Sequence, residues 1–129
     1  MIEMNILEKT KETENKVRWD TYIEGTKFSL YIPKWRVPEP VPVKIIVDLF
    51  FSPLPEQKNI IVPKIAVSNP NLCRLPIISH LKQHSYHTET IRYDPIGDSD
   101  IWEIGSPYIP CSLLPNSDVE TILICVQWV

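Results

Sequence analysis

Residues 17–32, VRWDTYIEGTKFSLYI, decide how this chain folds. Val17, Trp19, Thr21 and Ile23 alternate with Arg18, Asp20 and Tyr22. After Glu24 and Gly25 the alternation resumes, with Phe28, Leu30 and Ile32 set against Lys27, Ser29 and Tyr31. A period of two places one set of side chains on each face of a strand. A two-residue break containing glycine is the signature of a tight β-hairpin.

Outward from the hairpin, the chain is punctuated by proline. Thirteen prolines stand against three glycines in 129 residues. Each removes a backbone donor, fixes φ and disfavours helix in the residue before it. Residues 33–42 carry Pro33, Pro38, Pro40 and Pro42, which predicts a stiff extended path rather than a helix or an inner strand. Residues 43–51, VKIIVDLFF, are apolar at both parities, which predicts a central strand buried on two faces. A further strand is expected over 60–68, at an edge because of Pro63. Leu75, Ile77, Ile78 and Leu81 have the spacing of a short helix near 76–83, with Pro76 at its start. The alternation of SYHTETIRY predicts a strand over 85–93. A turn over 94–100 follows, then an interrupted strand over 101–109 and a loop over 112–120. The almost wholly apolar TILICVQWV predicts a last strand over 121–129, in mid-sheet or at a subunit interface.

The expected fold is mostly β. It is an antiparallel sandwich or partly open barrel of about seven to eight short strands, with one short helix near 76–83. Residues 1–16 are expected to form a flexible or loosely helical arm, and 17–129 a single β domain. Charge begins at the third residue and no secretory signal pattern is present, so a cytoplasmic protein is expected. No apolar run is long enough for a membrane helix. The three cysteines, Cys73, Cys111 and Cys125, have no paired spacing and suggest neither a disulfide framework nor a zinc knuckle.

The net charge of -3 conceals an imbalance. Every Lys and Arg falls at or before Arg92, and from Tyr93 onward there are six acids and no base. The strands of a folded sheet can intermix and neutralise these charges. Otherwise they form an acidic face for cations, a basic partner or a second copy of the chain. Scattered bases on an acidic chain argue against nucleic acid as the partner.

Two clusters carry candidate chemistry. Trp35 lies among prolines between Lys34 and Arg36, as an exposed aromatic anchor or as a loop folded back over the core. Lys34, Trp35 and Arg36 are therefore the candidate binding residues. His80, His84 and His87 fall within eight residues, with Glu89 nearby. On one helix face they would suit zinc or another transition metal, although the second ligand group of a zinc motif is missing. Serine and cysteine elbows and phosphate loops are absent. The expected function is a non-enzymatic binding or assembly module acting on a protein partner or on itself as a homo-oligomer. It needs no cofactor. The alternative is a small metal-binding barrel built on the histidines, with or without metal-dependent catalysis.

Overall fold

The computed structural model describes residues 2–51 and 73–129. The strand expected over 60–68 lies outside them. Eight antiparallel strands form one nearly closed, barrel-like sheet. They are β1 (Ile2–Glu12), β2 (Lys16–Ile23), β3 (Thr26–Pro33), β4 (Lys44–Phe50), β5 (Ile77–Tyr86), β6 (Thr90–Pro95), β7 (Tyr108–Pro110) and β8 (Thr121–Trp128). Their order in the sheet is β3-β2-β1-β4-β8-β5-β6-β7. The helical content of the described residues is short 3-10 turns alone.

The hairpin forms as expected. Ile23 faces Thr26 across the turn, and Glu24 and Gly25 both take positive φ, 48° and 82°, as a type I′ turn requires. Strand β4 lies between β1 and β8, and β8 between β4 and β5, so both apolar strands are central. Their alternate residues Ile45, Val47, Leu49, Ile122, Ile124 and Val126 are wholly buried inside the barrel. Trp19, Phe28, Leu30, Ile77, Leu81, Ile91, Tyr93 and Ile109 complete this interior, which side chains fill as in other small barrels.

Three expectations are corrected. The arm over 1–16 is largely strand β1, paired to β2 on one side and β4 on the other. Its pattern is mixed. Met4 and Ile6 are exposed on the outer face, while Asn5 occupies an inward position opposite Val47. Leu7, wholly buried opposite Ile45, anchors the strand in the core, and backbone pairing on both sides does the rest. The helix near 76–83 is strand β5. Ile77 and Leu81 face inward opposite Val126 and Ile122, and Ile78 faces outward opposite Cys125. A spacing of four satisfies a strand as well as a helix. The strand expected over 85–93 is instead the hairpin joining β5 to β6. His87 N–H donates to Thr90 C=O at 2.9 Å across its turn.

The proline-rich segment caps one end of the barrel. Val37 is buried, Val41 packs against the core, and Pro42 C=O accepts the indole N–H of Trp19 at 3.0 Å. A stretch short of N–H groups still carries carbonyls, and a buried Trp needs one. Strands β3 and β7 lie side by side at the seam. Gly105 N–H donates to Tyr31 C=O there at 2.8 Å. A Cβ on Gly105 would meet Tyr31 Cβ at 3.4 Å, an ordinary van der Waals contact.

Behind this seam Arg36 is fully buried and paired with Glu103. Its guanidinium also donates to Cys73 C=O at 2.9 Å, Leu75 C=O at 2.8 Å and Pro76 C=O at 3.1 Å. Removing one member of a buried pair strands the other, at a cost of about 3–5 kcal/mol. Urea unfolding of Arg36→Met should show a loss of that order, and the double variant Arg36→Met/Glu103→Leu should recover part of it. A single-variant loss below about 1 kcal/mol, the size of an exposed pair, would contradict this role.

Asp48 stands on the outer face of β4, opposite Met4 and Cys125. One of its carboxylate oxygens is buried without a hydrogen-bond partner among the described residues. Burial pushes its carboxyl above the usual range. The folded state therefore binds this proton more tightly, and stability falls as pH rises from the unfolded to the folded value. Asp48→Asn should raise stability at pH 7 by roughly 1 kcal/mol. The gain should vanish once pH drops below the ordinary aspartate range. Melting curves of the two proteins from pH 3 to 8 check this, and a gain unchanged across that range would refute it.

Candidate functional site

A depression of about 750 Å³ opens at the end of the barrel where β3 runs out. Five pieces of chain build it. The β1–β2 turn supplies Glu14 and Asn15, and the start of β2 supplies Lys16. The end of β3 supplies Tyr31 and Pro33, and the 3-10 turn Lys34–Arg36 supplies Lys34 and Trp35. The β6–β7 connection supplies Asp100 and Trp102, then Ile104 to Ser106.

Backbone bonds fix these pieces to one another. Lys34 N–H donates to Asn15 C=O at 2.9 Å, and Thr13 N–H to Lys16 C=O at 2.8 Å. Trp102 follows the 3-10 turn Ser99–Ile101. Its indole N–H donates to Gly97 C=O at 3.0 Å. Gly97 has φ 110°, a conformation that strongly favours glycine.

Three aromatics thus line one groove. The Tyr31 ring already carries a cation, with Lys16 Nζ 4.7 Å from its centroid. Arg18 donates to its hydroxyl at 3.2 Å. That hydrogen bond, outweighing burial, holds the Tyr31 phenol below its ordinary value. Lys34 Nζ lies 3.4 Å from Glu12.

The structure separates the three candidate binding residues. Lys34 is exposed and Trp35 half-buried, and both line the groove. Arg36 points the other way into the protein and is spent on Glu103 and three carbonyls, so it is no surface contact. The sequence gives Trp102 only a place in the interrupted strand over 101–109 and leaves Tyr31 on the outer face of the hairpin. Nothing in their spacing brings them to Trp35, because the seam between β3 and the β6–β7 connection is a long-range contact. A tyrosine on the charged face of a hairpin, flanked by Lys and Arg, was the available signal.

The histidine set does not assemble. His80 lies on β5, opposite Leu123, and borders a second, smaller pocket of about 190 Å³. His84 is four strand residues further on, roughly 13 Å at the usual rise. Gln83 faces Tyr93 and Ser85 faces Arg92, which makes His84 the extra residue of a bulge. Ser85 Oγ lies 3.1 Å from His84 Nδ1 and 3.2 Å from His87 Nε2. His87 packs edge-on to Tyr108 at 5.0 Å between ring centroids. Glu89 accepts from Thr26 Oγ1 across the seam at 3.2 Å.

His84 Nε2 also approaches Asp94 at 3.9 Å. Burial raises the Asp94 carboxyl, but hydrogen bonds from Ser106 and Arg92, with the Arg92 charge and then His84, hold it below the usual range. Among the described residues no group of three or more His, Cys, Asp or Glu is placed to hold a metal ion.

No protein-family model matches the chain, and comparison with curated proteins and with solved structures finds no match. The groove must therefore be read from its own chemistry. For the histidines the expected outcome is plain. A ligand that binds the folded state raises the melting temperature, so equimolar Zn²⁺ or excess chelator should move it by no more than about one degree. A rise of several degrees with Zn²⁺, abolished by His84→Ala/His87→Ala, would overturn this placement.

Proposed function

We propose that this protein is a non-enzymatic binding module whose groove at Lys34, Trp35 and Trp102 receives an extended segment of a partner protein. One observation carries the reading. The proline-flanked Trp35, singled out by composition, lines a depression of about 750 Å³ together with two aromatics brought there by the fold.

Aromatic side chains give large contact area at little entropic cost and dominate binding energy at interfaces. The groove is also braced from behind, which lowers the ordering cost of binding. Its volume falls within the range of ligand sites.

A second broad depression surrounds Asp20, between Ile6, Tyr22 and Lys27. It supports this choice by contrast. Asp20 is engaged by Thr10 at 2.7 Å, Arg18 at 3.2 Å and Lys27 at 3.5 Å, so its charges are spent on one another.

A displayed random-peptide library selected on the wild-type protein and on Trp35→Ala tests the proposal. Trp35 is half-buried, so Trp35→Ala should remain folded by circular dichroism. Peptides enriched on the wild type should lose at least about tenfold in affinity for it, as for an interface anchor. Identical enrichment on both proteins, or none on either, would refute the groove as the binding site.

A further inference from the structure

We infer that the segment taken by this groove is cationic, an extended peptide presenting Lys or Arg side chains to Trp35, Trp102, Asp100 and Glu14. This rests on the binding reading above and adds the chemistry of the partner.

The charges of the groove that are already paired in the fold decide which ones face a ligand. Four ionisable side chains, besides Tyr31, line it, two of each sign: Lys16, Lys34, Glu14 and Asp100. Both cations have partners within the fold. Lys34 is paired with Glu12, and Lys16 sits over the Tyr31 ring. Both carboxylates lie outside every ion pair among the described residues. With Lys34 neutralised by Glu12, the groove keeps the charge of Lys16 against Glu14 and Asp100, a balance of one negative charge.

Aromatic rings beside carboxylates favour a cation, because the ring face is electronegative and an ammonium or guanidinium rests over it. Lys16 on Tyr31 shows that contact within the groove itself. The surface continues in the same sense past Trp102. Ile96 and Ile101 are 60% and 50% exposed next to Asp98 and Asp100. Apolar and acidic side chains in alternation complement a strand of apolar and basic ones.

A peptide array decides the matter. Twelve-residue peptides of varied apolar framework are printed in matched versions bearing Lys, Gln or Glu at the same positions. They are probed with labelled wild-type protein, Trp35→Ala, Glu14→Lys/Asp100→Lys, and Asp118→Lys/Glu120→Lys. The last variant carries the same charge change outside the groove. Lys versions should bind roughly tenfold better than Gln versions, the scale of one well-placed charge contact, and Glu versions least. Trp35→Ala should abolish binding. The groove variant should erase the Lys preference, and the distant variant should keep it.

Trp35-dependent binding with no preference for Lys, or with equal loss in both charge variants, overturns the cationic inference and leaves the binding reading standing. Absence of any Trp35-dependent binding overturns both.

Discussion

Arg36 is the residue on which the rest of this structure leans. A guanidinium cannot shed its proton, and burying it without partners would cost more than the fold could supply. Here Glu103 and the carbonyls of Cys73, Leu75 and Pro76 together receive it. Those partners belong to two chain segments that approach Arg36 from separate directions: the entry to β5 and the connection between β6 and β7. The β-ladder leaves both outside its pairing. One side chain therefore does at this end of the barrel what regular hydrogen bonding does elsewhere. Its position in sequence matters as much as its bonds. Trp35 precedes Arg36 and Trp102 precedes Glu103, so the ion pair behind the groove sets where its two tryptophans stand. Residues locked by packing and by supporting bonds are what a preorganised site requires.

The prolines shape the same end by another route. Between β3 and β4 they leave a segment with few donors, which explains why it joins no strand. Its carbonyls remain useful, and Pro42 takes the indole proton of Trp19. Trp128 uses Leu75 C=O in the same way at 3.1 Å, and the two indoles lie 6.1 Å apart. Irregular backbone thus supplies acceptors to the large aromatics of the core. The strands could not, since their carbonyls are committed to the ladder.

How far the sequence speaks for itself varies with how locally each element is determined. The β2–β3 hairpin, β4 and β8 read directly, because a clean period of two or a continuous apolar run leaves little choice. Strand β1 does not, because its inward row offers Asn5 where a core residue is expected and its outward row offers Met4 and Ile6. It is a strand because both neighbours need one there. Strand β5 misleads through coincidence, since Ile77 and Leu81 share a face in either geometry. The site follows the same rule. Lys34 and Trp35 stand out from composition alone. Tyr31 and Trp102 belong to the groove only once the sheet has curled until its two ends meet. Arg36 reads as a surface cation until Glu103, far along the chain, is brought beside it.

The charge imbalance of the C-terminal part resolves in the same place. Glu103 is consumed by Arg36, and Asp94 by Arg92 at 2.9 Å. Asp98 and Asp100, outside ion pairs among the described residues, are carried on the short connection that holds Trp102. That connection has four duties within nine residues. Gly97 orients the indole, Asp100 lends charge, Glu103 neutralises Arg36 and Gly105 closes the seam on Tyr31. The parts that close the barrel and the parts that would meet a ligand are therefore the same stretch of chain. A ligand held against Trp102 bears on a segment tied to the barrel through a buried ion pair and a backbone bond. On the proposed reading, the surface that meets a partner and the closure of the sheet share this one segment.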